Sequence, residues 1–224
     1  MISDDLRRKT TGFAKEIQTV LNCTIASNVH ILAVASSLDN GDRVFTLGNR
    51  VSKTTRTAER FRLKPRNPKA ELWMDVSFQL RMDAEREHLM VQKSFFGVFI
   101  SEDAKEGLCH YDYERDKPDG YPDAHLQVGG QSAALSTLNC VKDKDGGRPL
   151  ASLHFPVGGK RFRPCLEDLI EFLIVERLVE AREGYEKVIE AGRERFHHNQ
   201  LRAAIRRHPE VAREYLRMQG VAGV

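Results

Sequence analysis

Three short stretches of the chain bring together side chains that can move protons or bind metal ions. They read HYDYE from His110, AHLQV from Ala124 and SLHFP from Ser152. Each stretch suits a β-strand, in which successive side chains point to opposite faces. If the three strands are neighbours in one sheet, their polar side chains share one face, and we expect this set there: His110, Asp112, His125, Gln127 and His154.

Two histidines on adjacent strands suit acid–base catalysis. Histidine is the side chain whose unperturbed pKa lies near neutrality, so His125 and His154 could serve as general base and general acid. A carboxylate such as Asp112 would orient one imidazole and stabilise its charged form. The residue types therefore support a catalytic set of His110, Asp112, His125 and His154.

The same face has two other interpretations, and the sequence leaves both open. His110, Asp112 and His125 are of the types that bind divalent metal ions, although no pair has a short ligand spacing such as HxxxH. The residues could also be ordinary polar sheet residues, exposed or hydrogen-bonded beneath a loop. No cofactor motif is present, and we expect no bound cofactor.

A second group of residues points to phosphate. The stretch VGGKRFRP places Lys160, Arg161 and Arg163 around one aromatic residue, just before an acid-led helix. It lacks the GxxxxGK[ST] pattern of a nucleotide P-loop, so a phosphate backbone or RNA is the better match. With Tyr113, these cations form the predicted phosphate-binding set, and a hairpin turn with surface cations is the alternative.

Two further segments are rich in basic residues. Residues 50–69 hold eight basic residues against one acid, and the tail carries Arg202, Arg206 and Arg207 near one another. Either segment could bind nucleic acid or a partner protein, and either could be a solvated surface. The net charge of +3 is too small to decide between these interpretations.

The spacing of apolar residues predicts the elements that position these groups. A helix is expected over residues 4–21, and strict alternation from Leu72 to Met82 predicts a long half-buried strand. Further strands are expected at 29–37, 43–48, 89–100, 108–114, 124–128 and 152–155, with a tight turn at Asn40 and Gly41. A helix is expected over 163–182, followed by two or three short helices, the last beginning at Pro209 and ending before Gly220.

These elements predict an α+β fold: an antiparallel sheet of about five to seven strands, flanked by an N-terminal helix and a C-terminal helical segment. We expect a core domain over residues 1–183 and a helical appendage over 184–224. The chain starts without a signal-peptide pattern and has no long apolar run, so we expect a cytoplasmic protein without a membrane span. The four cysteines show no CxxC pair and are expected to be free thiols. The oligomeric state cannot be predicted.

The stretches HYDYE, YPDAHLQV and LHFPVGGKRFRP together resemble a known group of proteins. A strand with tyrosines and acids, a histidine strand after a proline turn, and a closing HFP are similar to small toxin components of bacterial toxin–antitoxin and phage-defence loci, of the TumE type. The resemblance covers residues 110–174, about a third of the chain. Such components are much shorter than this chain, and its N-terminal helix, basic segment and tail have no counterpart in them.

The resemblance implies an effector that acts on RNA or on translation and is kept in check by a cognate partner protein. His125 and His154 are the residues that it carries over, with Asp112 and Tyr111 beside them. The residue types themselves supply acid–base groups and cations, and these favour metal-independent hydrolysis of RNA. The alternative is a non-catalytic module that binds protein or nucleic acid through the basic segment and the helical tail.

Overall fold

The computed structural model describes residues 4–37, 43–105, 107–117, 120–132 and 150–221. Within these residues, eight strands form one sheet in which every pair is antiparallel. The order is β1-β2-β4-β5-β6-β7-β8, and the short β3 pairs with β4. The strands are β1 (Ile31–Ser37), β2 (Arg43–Asn49), β3 (Phe61–Arg62), β4 (Trp73–Met82), β5 (Leu89–Phe99), β6 (Cys109–Glu114), β7 (Ala124–Val128) and β8 (Phe155–Pro156).

Helices lie at both ends of the described chain. They are α1 (Asp4–Thr24), α2 (Gly159–Phe162), α3 (Leu166–Val175), α4 (Tyr185–Arg207) and α5 (Pro209–Met218). The predicted α+β class, with its antiparallel sheet and flanking helices, is confirmed. None of the described helices is both long and apolar enough to span a membrane.

The alternation in β4 determines which face of the sheet becomes the core. Met74, Val76 and Leu80 are fully buried on one face, which we call the inner face. Ile17 and Leu21 of α1 belong to the same hydrophobic cluster. The opposite, outer face of β4 carries half-buried polar residues such as Asp75 and Ser77. This division between faces continues into β6 and β7 and positions both sites described below.

The helix predicted over 163–182 is shorter in the structure and ends at Val175. Arg177 adopts a left-handed backbone with φ of 59°, which an α-helix cannot continue through. Val179 then forms an isolated antiparallel bridge with Pro65. The apolar residues beyond Val175 are therefore buried by an extended segment, although their spacing also suits a helix.

The tail forms two helices, as predicted, but the first is long. Helix α4 has 23 residues and packs against the core through buried Ile189 and Gly192. Arg193 ties α4 to α3 by ion pairs to Asp168 at 2.8 Å and to Glu171 at 2.5 Å. Pro209 occupies the first turn of α5, as expected.

The predicted strand at residues 152–155 is wrong in detail. Leu150–Ser152 form a 3-10 turn, and only Phe155 and Pro156 pair with β7. The predicted Asn40–Gly41 turn lies outside the described residues, as does Cys140. Cys23, Cys109 and Cys165 are free thiols, as expected.

Candidate functional site

The predicted catalytic residues lie together on the outer face of the sheet. Strands β6 and β7 pair so that Asp112 faces His125 and His110 faces Gln127. His154 reaches the same place from the segment that precedes β8. The sequence predicted this shared face from strand alternation alone.

The two central histidines are in direct contact. The rings of His125 and His154 lie 4.5 Å apart at an interplanar angle of 65°. His125 Nε2 lies 3.7 Å from Asp112 Oδ2. On the far side of His154, the ring of Tyr121 lies 4.2 Å away. We call these four residues, together with His110, the histidine cluster.

His125 is buried, although it points away from the core. It is 1% exposed, and the ring of His154 packs against it. Its Nδ1 faces the carbonyl oxygen of Pro122 at 3.4 Å. Burial is the main cause that lowers the pKa of His125 below its usual value, so the ring is neutral at pH 7. Sequence analysis did not predict that Tyr121 packs on His154.

His110 sits at the edge of the cluster in a defined tautomer. Gln127 donates its amide Nε2 to the carbonyl of Ala151 at 2.5 Å, which leaves its Oε1 to face His110 Nε2 at 2.7 Å. His110 therefore donates from Nε2. The Phe95 ring lies 5.0 Å from the His110 ring, and burial is the main cause that lowers the pKa of His110.

The cluster places three imidazole rings near the carboxyl group of Asp112, and these are groups that can perform acid–base chemistry. The Nδ1 atom of His154 is buried and has no hydrogen-bond partner among the described residues. No group of three or more histidine, cysteine, aspartate or glutamate side chains in the described part of the chain is arranged to hold a metal ion. His110, Asp112 and His125 thus do not form such an arrangement there.

The predicted phosphate-binding residues lie elsewhere. Tyr113 is buried on the inner face of β6, opposite His110 and Asp112. Arg163 stacks on its ring with Cζ 3.9 Å from the centroid and donates to the carbonyl of Lys160 at 2.5 Å. These residues therefore do not join the histidine cluster.

The other two predicted phosphate ligands differ from Arg163. Lys160 forms ion pairs with Asp116 and Asp123, the latter at 3.6 Å, so nearby carboxylates already neutralise it. The side chain of Arg161 lies outside the described part of the structure.

A second site lies on the inner face, where the sequence predicted several basic residues for binding but no cleft. The ends of β4 and β5, helix α1 and helix α4 enclose a cleft of about 1170 Å³. Its floor includes apolar side chains of three elements, namely Phe13, Phe78, Leu80, Val91 and Phe96. Arg202, Arg206 and Arg207 of α4 stand on its rim.

A β-bulge places one arginine in the wall of this cleft. Between β4 and β5 the register shifts, so that Gln79 pairs with Lys93 while Leu80 pairs with Val91, leaving Gln92 as the extra residue. Arg115 donates its backbone N–H to the carbonyl of Gln92 at 2.9 Å and its Nε to the carbonyl of Val91 at 3.3 Å. The bulge thus holds the Arg115 side chain against the cleft.

Comparisons of the chain with models of known protein families, with curated proteins and with solved structures gave no significant match.

Proposed function

We propose that this protein is a binding protein that holds an anionic ligand in the cleft between helix α4 and the inner face of the sheet. The proposal develops the alternative in which the helical tail forms a binding surface. Arg202, Arg206 and Arg207 of the tail line the same cleft as Arg115, which follows β6, and the floor of this cleft is apolar.

The observation that carries the proposal is the environment of Arg115. The residue is only 7% exposed, and no carboxylate of the described residues lies within 4 Å of its guanidinium. A buried charge is costly unless it is paired. An anionic ligand in the cleft would provide the missing partner.

The charges around the cleft support the same conclusion. Arg202, Arg206 and Arg207 are exposed, and none has a carboxylate within 4 Å among the described residues, although Asp83 feels the charge of Arg206 and Asp116 that of Arg207. Two of the acidic residues on the wall are already paired: Glu16 with Arg195 at 3.4 Å, and Asp116 with Lys160. The unpaired cations on the rim would attract an anion and guide it inward.

Fluorescence titration with 8-anilinonaphthalene-1-sulfonate, an apolar dye with one anionic group, tests this proposal. We compare the wild type with the triple variant Arg202→Gln, Arg206→Gln, Arg207→Gln. The variant should bind the dye about tenfold more weakly, since each exposed ion pair contributes up to about 1 kcal/mol.

The matched control removes the same charge from the basic segment. The triple variant Lys53→Gln, Arg56→Gln, Lys69→Gln changes three exposed residues that do not line the cleft. It should bind the dye like the wild type. Equal binding by both triple variants, or weakening in the control alone, would overturn the proposal.

Acid–base hydrolysis of RNA at the histidine cluster is a second candidate function. It is supported by the 4.5 Å contact between the His125 and His154 rings and by Asp112 beside them. One neutral histidine would take the proton of the ribose 2′-hydroxyl while that oxygen bonds to the adjacent phosphorus, and the other, in its protonated form, would give its proton to the 5′-oxygen as the P–O5′ bond breaks. The resemblance to TumE-type toxin components also points to RNA and to a cognate partner protein.

Cleavage of end-labelled RNA by purified protein tests this second function. His125→Ala and His154→Ala should each reduce cleavage by at least about a hundredfold, the usual contribution of a general acid or base. His197→Ala, on the exposed surface of α4, serves as the control and should cleave like the wild type. Cleavage that survives both substitutions in the cluster would exclude hydrolysis at this site.

A further inference from the structure

Ser94 and Arg115 line one end of the cleft, and Tyr113 is buried beside them. The hydroxyl of Tyr113 is buried and has no hydrogen-bond partner among the described residues. Ser94, which faces Tyr113 across β5 and β6, is buried in the wall of the cleft. Arg115 follows Tyr113 by two residues, and its Nε donates to the carbonyl of Val91. We call these three residues the polar end of the cleft.

A second guanidinium stands beside this end. Arg163 is nearly buried, lines the cleft and stacks on the Tyr113 ring at 3.9 Å, while Arg115 lies 5.8 Å from the same ring. Two guanidinium groups around one ring concentrate positive charge where solvent has little access. Guanidinium is also well suited to bidentate bonds with phosphate or carboxylate.

Away from the polar end, the floor of the cleft is apolar. It is built from α1, β4 and β5, by Phe13, Phe78, Leu80 and Phe96. Such a floor offers no hydrogen bonds to a polar ligand, but it removes apolar ligand surface from water. The cleft therefore has one charged end and one apolar end.

From this arrangement we infer that the ligand is a small amphiphile, with one phosphate or carboxylate group at the polar end and an apolar chain along the floor. The inference rests on the proposed anion-binding function and names the class of ligand. The cleft volume of about 1170 Å³ slightly exceeds the usual range of small-molecule sites, about 300 to 1000 Å³.

A single-stranded nucleic acid fits this site less well. Its bases would need aromatic rings free to stack on. Phe78 and Phe96 are only 7% and 5% exposed. Their rings pack edge to face, with centroids 5.3 Å apart. These rings can line an apolar chain, but they cannot present a face to a base.

Isothermal titration of the full chain with alkyl phosphates of eight, nine and ten carbons tests the inference, at concentrations below micelle formation. The affinity should rise about fourfold for each added methylene, the gain expected when one CH₂ group is buried. Inorganic phosphate should bind far more weakly than any of the three. The matching alkyl carboxylates separate a requirement for phosphate from a requirement for any anionic head.

Substitutions at the polar end test the head group. Arg115→Met keeps an unbranched side chain but removes the charge, and should weaken decyl phosphate binding by about ten- to a hundredfold. Ser94→Ala is the milder second variant and should weaken binding by a few-fold. Arg60→Met is the control, because Arg60 also bonds main-chain carbonyls but lies away from the cleft.

The outcomes separate this inference from the function on which it rests. The inference that the ligand is an amphiphile would be overturned by an affinity that does not depend on the length of the alkyl chain. It would also be overturned if Arg115→Met bound decyl phosphate as tightly as the wild type. If a single-stranded RNA displaces the sulfonate dye and alkyl phosphates do not, the anion-binding function stands and the amphiphile is excluded. If the dye does not bind in the cleft, the proposed function itself fails.

Discussion

Arg115 and Val91 are joined by a hydrogen bond of 3.3 Å from the guanidinium Nε to the main-chain carbonyl, at the bulge in β5. This bond fixes the direction of a nearly buried cation without neutralising it. A carbonyl carries no net charge, and Asp116, a carboxylate close enough to feel the Arg115 charge, is already paired with Lys160, so the guanidinium can still attract an anion. The bulge is therefore the feature that turns a gap between helix and sheet into a charged binding site.

The close contact of α4 with α3 predicts an unusual response to a glycine substitution. A Cβ atom at Gly192 would lie 2.1 Å from Glu167 Oε1 and 2.9 Å from Glu167 Cδ, and Glu167 is buried. Gly192→Ala should therefore lower the free energy of unfolding by up to about 2 kcal/mol, the usual cost of overpacking less the helix propensity that alanine adds. Urea denaturation measures this change.

Two further variants give this prediction its control. Gly12→Ala in α1 meets no atom within 4 Å and should stabilise the protein by up to about 1 kcal/mol. In the double variant Gly192→Ala, Glu167→Ala, the clash is removed, so the two effects should not add. Additive effects would show that Glu167 does not limit the approach of α4.

Asp75 predicts a loss of stability as the pH rises. Its Oδ1 is buried without a hydrogen-bond partner in the described structure, and burial raises its pKa from 3.8 to about 6, against the opposing attraction of Arg60. Between these two values the folded state keeps a proton that the unfolded state loses, so stability falls with rising pH. Allowing for partial exposure, the loss is about 2 kcal/mol.

The variant Asp75→Asn isolates this effect. Urea denaturation gives the free energy of unfolding of the variant and of the wild type. The variant value minus the wild-type value should be about 2 kcal/mol larger at pH 8 than at pH 4. Asp103→Asn, on an exposed turn, is the control, and its difference in free energy of unfolding from the wild type should be the same at pH 4 and pH 8. A constant difference between Asp75→Asn and the wild type would contradict a raised pKa.

The histidine cluster predicts the opposite dependence. Burial lowers the pKa values of His110 and His125 below 6.5, so the unfolded state binds protons more readily than the folded state. Stability conferred by the neutral rings is present above pH 6.5 and is lost as the pH falls through the lowered pKa values. Acidification should therefore weaken the packing of the cluster.

Thermal unfolding at pH 7.5 and pH 5.5 tests the cluster directly. His125→Gln removes one titrating group and should lose less stability on acidification than the wild type. His197→Gln, on the exposed face of α4, should lose as much as the wild type. If His125→Gln and the wild type respond equally to acid, His125 does not have a lowered pKa.

The positions of the histidines could be predicted because a strand places alternate residues on opposite faces. The alternation in β4, β6 and β7 was enough to put Asp112 and His125 on one face. The contact that helps to bury His125 could not be predicted, because His154 approaches it from outside the regular strands.

The cleft could not be predicted for a different reason. It depends on where α4 packs across the sheet, and on a bulge that redirects Arg115. Neither the packing of distant elements nor a one-residue shift in register leaves a periodic signal in the sequence. Tyr113 and Arg163 were predicted to bind phosphate, and the structure places both beside Arg115, although away from the histidines.

The most direct test of the binding site is two-dimensional ¹H–¹⁵N NMR of the labelled protein during titration with decyl phosphate. We expect the amide signals of Val91 and Ser94 and the side-chain Nε–H signal of Arg115 to shift together, and those of His125 to stay unchanged. The exposed apolar residues of α5, such as Val211 and Tyr215, offer the competing surface. Shifts confined to α5, with the Arg115 signal unmoved, would contradict the cleft as the ligand site.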